Sequence, residues 1–577
     1  PITIHAYADD KIQVGWMNDL ADRVHDYGAK MSLQLTAGVG RIAGYALQTI
    51  GEAIAPSKIS CFWYPHYTAR PLNINEIEEL VNSFEPSARL IKLSGLDAIE
   101  LNAHEGYLID QFMTKTWNNR TDNYGGSLTN RFRFLKEIIE AIKRGAGDDF
   151  PIIVRFGLTH YFEKGRSVDE GIEISQLLEK AGIAALEIDG GSYENWFYPH
   201  PPTTQPEGLF VDFAALVKKA VSIPVIAVGK LGNPTLAEKV LQDEKADFIA
   251  LARPLLADPQ WPLKVKEGRV EDIRPCVGCH EGCLKRIFEH KYISCAVNPS
   301  AGIEKELQIT RADKIKKVLV VGGGIAGMEA ARVLSIRGHH VTLWERDDEL
   351  GGNFKSGEVP DFKIEYKQLT EYHKTQLSKL KIEVKLNHSA TIESISEFNP
   401  DVTFIAVGAS VLTPDIKGLN NARNVFYPNK VLSGECDVGK SVIVIGGGLV
   451  GCEAALFLAK KHIEVTVLEI SDKIMRDMFL VNREHFELLL NEIGVTVLTN
   501  TKVQEIFGEN TLEIITNEEK RTLNFDSIII ATGYKENRDL IDELSNLPCD
   551  VIDIGDCIEP GKALDAIWGA YRKARLV

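Results

Sequence analysis

KKVLVVGGGIAGMEAARVLSIRGHHVTLWER, residues 316–346, decides the fold of the C-terminal half. An apolar run at 318–321 leads into Gly322-x-Gly324-x-x-Gly327, then a helical pattern, then a second apolar run ending at Glu345. Each glycine has a task in a dinucleotide-binding turn. The first makes the tight turn, the second lets backbone approach the pyrophosphate, and the third lets helix pack closely on strand. The helix N-terminus supplies N–H donors and a partial positive charge for phosphate. Glu345 falls eighteen residues after Gly327, where a carboxylate can take both ribose hydroxyls.

The pattern then repeats. SVIVIGGGLVGCEAALFLAKKHIEVTVLEI, residues 441–470, carries Gly446, Gly448, Gly451 and, again eighteen residues on, Glu469. Two such units imply two dinucleotides. A carboxylate at Glu469 would repel a 2′-phosphate, which favours NADH over NADPH; the other reading of Glu469 is a solvated strand-end charge. Further apolar runs, DVTFIAVGAS (401–410) and DSIIIATGYKEN (526–537), follow the two units. In the tail, DIGDCIEP (553–560) places Asp556 for a flavin ribityl or ribose hydroxyl. This layout resembles the two-dinucleotide-binding flavoproteins related to glutathione reductase. That resemblance implies FAD in the first unit, NAD(P)H in an inserted second unit, and a tail that returns to the FAD domain.

Composition bounds the rest. The chain has 577 residues, enough for several domains, with 44% hydrophobic and 25% charged residues, ordinary for a globular protein. A net charge of −16 argues against a nucleic-acid partner. No polybasic segment suits a membrane surface, and no apolar run is long enough to span a bilayer. No secretion signal opens the sequence, so a cytoplasmic location is expected.

The first half alternates short apolar runs with helical patterns: MSLQLTAG (31–38), AIELNAH (98–104), IIVRFGL (152–158), AALEIDGG (184–191), PVIAVGK (224–230) and FIALARP (248–254). Such alternation reads as parallel β/α units. Polar residues gather at the strand C-terminal ends: Gln34, Asn102, Arg155, Lys230, Arg253. A (β/α)8 TIM barrel places its site there. Six strands are visible where eight are needed, so the expectation is a barrel lacking its first two β/α units, with apolar surface exposed beside 31–38 and 248–254. An open doubly wound sheet is the alternative.

Between the halves lies CVGCHEGCLKRIFEHKYISC, residues 276–295, with four of the chain's nine cysteines: Cys276, Cys279, Cys283 and Cys295. A disulfide framework does not suit a large chain in a reducing compartment. The C-x2-C-x3-C-x11-C spacing resembles an iron–sulfur arrangement more than paired zinc knuckles. Spacing alone leaves iron–sulfur, zinc and inert thiols open.

LNAHEGYLIDQFMTKTWNNRTDNYGGSLTNRFRF, residues 101–134, resembles the old yellow enzyme signature after the fourth barrel strand. With the cysteine run continuing to CAVNP, the whole chain resembles the iron–sulfur branch of that family: 2-enoate reductase, 2,4-dienoyl-CoA reductase, bile-acid oxidoreductase, trimethylamine dehydrogenase. The resemblance implies an FMN-binding barrel (1–268), a [4Fe–4S] segment (269–312), an FAD domain (313–432 and 541–577) and an NAD(H) domain (433–540). It implies electron flow from NADH to FAD, through the cluster one electron at a time, to FMN, and then to an activated C=C bond. It gives Tyr107 the role of proton donor to the α-carbon, Gln34 and Arg155 contact with the flavin pyrimidine edge, and Gly229, Lys230, Ala252 and Arg253 the FMN phosphate end. Cys276, Cys279, Cys283 and Cys295 become cluster ligands.

The sequence departs from the family in places. The carbonyl-gripping His-x-x-Asn or His-x-x-His positions read Asn102 and Glu105. The common His-x-Gly-Arg reads Gly38-Val39-Gly40-Arg41, and the Trp-His pair of dienoyl-CoA reductase is replaced near Ser192-Tyr193. Tyr193 and His200 are candidates for the missing donor, and CFWYPHYTARPL (61–72), with Arg70, for part of a pocket wall. The expected activity is NADH-dependent reduction of a small-molecule 2-enoate or enone, or of a thioester. The alternatives are a steroid, bile-acid or dienoyl-CoA oxidoreductase, an amine dehydrogenase, or a flavoprotein that only relays electrons to a partner. A homo-oligomer is compatible with this reading.

Overall fold

The computed structural model describes residues 11–44, 52–544 and 549–577. The chain divides into two compact units: the residues through Pro201 with Gln205–Leu251, and Pro202–Thr204 with Ala252–Val577.

In the first unit six strands lie parallel in chain order: β1 (Ser32–Leu35), β2 (Ala98–Ala103), β3 (Ile152–Gly157), β4 (Ala185–Asp189), β5 (Val225–Ala227) and β6 (Phe248–Ile249). Every expected strand is present, with helices such as Leu128–Ala146, Val168–Lys180 and Val211–Ala220 in the crossovers. This is TIM-barrel architecture, and among the described residues β1 and β6 are the sheet's two edges.

Pleat and register sort the side chains. Gln34 lies opposite Glu100, Asn102 opposite Arg155, and Arg155 opposite Glu187, so one face carries a polar row. On the other face Leu35, Leu101, Val154, Phe156, Leu186 and Ile188 are fully buried in one apolar core. The helix Leu128–Ala146 shows how that core is covered. Ser127 caps it by accepting from Asn130 N, Gly147 ends it at φ 94°, and Phe134, Leu135, Ile138, Ile139 and Ile142 form its buried stripe. Each of these side chains contributes about 1.5–3 kcal/mol on burial. The expected edge exposure is one-sided. Phe248 in β6 is 56% exposed, whereas in β1 Leu35 is buried and Leu33 half-buried, and Met17 of the helix Lys11–His25 and Met31 pack against the same core.

The second unit contains two parallel five-stranded sheets. The first runs Glu383–Lys385, His340–Trp344, Lys317–Val321, Val402–Ile405, Asp550–Asp553. The second runs Val425–Phe426, Ser527–Ile530, Ser441–Ile445, Glu464–Leu468, Thr496–Leu498. In each, the strand before the glycine loop is central, as Rossmann-like binding requires. The tail strand Asp550–Asp553 joins the first sheet beside Val402–Ile405. An antiparallel meander, Thr501–Phe507, Thr511–Thr516 and Glu519–Asn524, was not foreseen. Among the described residues no helix is long and apolar enough to cross a membrane.

Candidate active site and cofactor cradles

Tyr107 stands at the turn after β2, as the N-cap of the helix Leu108–Met113. Asp110, fully buried, fixes that turn. It accepts from Gly106 N at 2.8 Å and from His160 Nε2 at 3.0 Å, and pairs with Arg166 Nη2. Against burial, Arg166 and then His160 hold the Asp110 carboxyl well below the usual carboxylate range. Sequence reading missed this trio, though an acidic residue at the third position of a helix was an available signal.

The Tyr107 hydroxyl lies 2.9 Å from that of Tyr193, a donor candidate from the sequence. Burial, then the Glu105 carboxylate, pushes the Tyr107 phenol well above its ordinary value, so it keeps its proton at neutral pH. Phe62 and Trp63 meet the Tyr193 ring edge-on at 5.5 and 5.8 Å, and Trp196 stacks on it at 4.8 Å. The aromatic stretch at 61–72 therefore walls this site through Phe62 and Trp63. Arg70 does not take part, being tied to Glu52 and Glu76. His200, the other candidate, sits 3.1 Å from Glu105.

On the polar row Arg155 Nε pairs with Asp189 at 3.1 Å and Glu187 at 3.4 Å. Asp189 also meets His104 Nδ1 at 2.7 Å. Gln34 donates to Glu100 at 2.5 Å. Among the described residues the buried Oδ1 of Asn102 has no hydrogen-bond partner, an acceptor that a ligand N–H would satisfy. Gly229 and Lys230 form the turn after β5, with Lys230 Nζ donating to Gln205 O.

In the second unit the glycine loops have the expected construction. A Cβ on Gly327 would lie 1.9 Å from Gly322 O, and one on Gly451 2.0 Å from Gly446 O. At Gly324 and Gly448, the N-caps of Ile325–Arg337 and Leu449–Ala459, a Cβ would meet nothing within 4 Å. Each loop thus leaves open space at a helix N-terminus, where a pyrophosphate fits. Glu345 accepts from Gly323 N at 2.6 Å and Asp347 N at 2.9 Å, and Glu469 accepts from Gly447 N at 2.7 Å and Ser471 N at 2.8 Å. Each carboxylate therefore also ties its strand end to its glycine loop. A cavity of about 1990 Å³ is lined by Gly322, Gly324, Glu345, Gly448, Asp556 and Cys279. Burial raises the Asp556 carboxyl.

Cys276, Cys279, Cys283 and Cys295 line one small cavity together with Val277, Ala296 and Val297. None of the nine cysteines is in a disulfide. Burial, then repulsion from Cys283 and Cys295, pushes the Cys279 thiol far up, and Cys295 is pushed up to about 12. Burial therefore keeps these thiols protonated, and only a cationic centre beside them would favour the thiolates. Among the described residues no group of three or more His, Cys, Asp or Glu side chains is placed to hold a metal ion. Arg253 stands here, its Nη1 2.6 Å from His280 Nε2; burial pushes the Cys283 thiol up, and the Arg253 charge offsets only part of that rise. Ala252 is the N-cap of Arg253's short helix. Arg253 and Ala252 thus fall in the second unit, and Lys230 and Gly229 in the first.

Residues 4–272 match the NADH:flavin oxidoreductase / NADH oxidase family. Residues 320–373 match the NAD(P)-binding Rossmann-like domain, and 355–555 the pyridine nucleotide-disulphide oxidoreductase family. The chain is 41% identical to cinnamate reductase of Clostridium sporogenes, over 97% of this chain and 86% of the relative. It is 37% identical to an NADH oxidase of Thermoanaerobacter brockii, over 98% and 87%. A solved 2-naphthoyl-CoA reductase complex superposes with a TM-score of 0.92 at 32% identity, over 98% of this chain and 88% of that one.

Proposed function

The chain belongs to the NADH:flavin oxidoreductase / NADH oxidase family, and on that premise we propose that it uses NADH to reduce a polarised C=C bond, with Tyr107 as the proton donor. The substrate class is an aryl-conjugated unsaturated acid or its thioester. The observation that carries this reading is the Tyr107–Tyr193 pair: a phenol that keeps its proton, held at the end of β2 beside an aromatic wall. The names of two relatives, cinnamate reductase and 2-naphthoyl-CoA reductase, support it.

The residues fit the expected cofactors. Gln34, Asn102, Arg155, Gly229 and Lys230 would hold FMN on the polar row and the turn after β5. The Gly322–Gly324–Gly327 loop with Glu345 and Asp556 would hold FAD. Gly446, Gly448, Gly451 and Glu469 would hold NADH, the carboxylate disfavouring a 2′-phosphate. The four cysteines would hold a [4Fe–4S] cluster, with Arg253 offsetting its negative charge. When bound, these groups supply hydride and single-electron chemistry. The chain's own part is to orient the alkene against the aromatic wall and to give the Tyr107 proton to its α-carbon, worth about 10²–10⁴-fold. The domain assignment in this reading is a barrel through 268, a cluster segment at 269–312, an FAD domain at 313–432 and 541–577, and an NAD(H) domain at 433–540.

The test is anaerobic NADH turnover with cinnamate-type enoates, enones, enoyl thioesters and secondary amines, with product analysis. Saturated acid or thioester formed in step with NADH loss is expected. Turnover with amines alone would overturn the reading.

A further inference from the structure

We infer that His280 and Asn482 are positioning residues: they hold the Arg253 guanidinium beside Cys283 and so raise the reduction potential of the cluster that the four cysteines would carry. The inference rests on those cysteines holding a [4Fe–4S] group.

The hydrogen-bond donors fix the direction of the chain. Arg253 Nη1 lies 2.6 Å from His280 Nε2. A guanidinium only donates, so Nε2 accepts and the ring proton sits on Nδ1. Nδ1 lies 2.6 Å from Asn482 Oδ1, which accepts that proton, and Asn482 Nδ2 donates to Gly278 O at 2.9 Å. His280 is 1% exposed and Asn482 7%. Gly278 and His280 flank Cys279 at φ 61° and 60°. That left-handed backbone is costly for a histidine and persists only where the surroundings over-determine it. Asn482 supplies the restraint from outside the cysteine loop, from the helix Leu480–Glu492 in the same nucleotide fold as Glu469.

Arg253 needs such a hold. It opens the short helix Arg253–Ala257 and is half-buried. In that setting a long stem lets a guanidinium turn to water, where its charge is screened. Held on His280, it lines the same small cavity as the four cysteines, and its charge acts on Cys283. A fixed cation there favours the more negative, reduced form of a bound cluster and so raises the potential. Because its Nε2 accepts, His280 adds no charge of its own. Its effect passes through Arg253, and that of Asn482 through His280.

Redox titration of the full chain, followed by electron paramagnetic resonance with iron assayed, reads the potential without turnover. His280→Asn tolerates the left-handed backbone but is too short to reach Arg253 and Asn482 together. It should keep its iron and shift the equilibrium toward the oxidised form by about tenfold, a fall of about 59 mV for one electron. Arg253→Met, which removes the charge, should fall at least as far. The double variant should fall no further than Arg253→Met, because His280 then has nothing to position. Asn482→Ala lies far from the ligands in sequence and should move the potential the same way; it gives the reading if His280→Asn loses iron. An unchanged potential in iron-replete His280→Asn or Asn482→Ala, or additive falls in the double variant, would overturn the inference. Wild-type protein that shows no iron–sulfur signal after anaerobic loading with iron and sulfide would overturn the cluster reading, and the inference with it.

Discussion

Asp110→Asn tests what holds the Tyr107 turn in place. The wild-type carboxylate is 0% exposed and serves three donors: Gly106 N, His160 Nε2 and Arg166 Nη2. Arg166, itself 0% exposed on its side chain, is otherwise bonded to Gly157 O and Thr114 Oγ1, neither of which carries charge. An asparagine keeps one acceptor for Gly106 but turns an NH₂ toward the Arg166 guanidinium or the His160 Nε2 donor. Breaking a buried pair this way costs about 3–5 kcal/mol. At about 2–4 °C per kcal/mol for a unit of this size, the melting transition of the first unit should fall by about 6–20 °C. Calorimetry measures this directly. The contribution also has a pH signature. Because the folded carboxyl is held low, the stabilisation is complete above the unfolded value of about 3.9 and is lost as pH falls through the folded one. The gap between wild type and variant should therefore be full at neutral pH and narrow in strong acid. A shift below about 2 °C at neutral pH would refute the reasoning.

The remaining predictions concern the cradles. Gly451→Ala puts a methyl 2.0 Å from Gly446 O, so NADH affinity should fall more than about 10-fold while bound flavin is retained; Gly327→Ala should instead lose FAD, as flavin analysis would show. Retention of both nucleotides in both variants would contradict the assignment. Cys279→Ser should lower iron content while NADH still reduces FAD, and undiminished iron would remove Cys279 from the ligand set. Each glycine variant needs a circular-dichroism control, since the same clash threatens the fold.

Much of the architecture was legible because its signals are local. Parallel strands covered on one face by helices read as short apolar runs, and all six in the first unit stand where the sequence placed them. The glycine loops were legible down to the open positions at Gly324 and Gly448, because backbone approach leaves few residue choices. What stayed hidden depends on contacts between distant residues. Tyr107 meets Tyr193 across 86 positions, and Asp110 meets Arg166 across 56. The resemblance implied a place for Arg253 at the FMN phosphate end; its contact with His280 beside Cys283 is a further one that the sequence did not signal. The meander at 501–524 was missed because its alternation is diluted by charge: Glu519–Asn524 is mostly exposed.

The central claim is that Tyr107 protonates the alkene and has no part in electron delivery. Rapid mixing of Tyr107→Phe under anaerobic conditions tests it most directly, since phenylalanine keeps the ring against Tyr193 and removes the hydroxyl that carries the proton. The account predicts wild-type flavin reduction by NADH, followed by reoxidation by enoate slowed about 10²-fold or more. Reoxidation at the wild-type rate would contradict it.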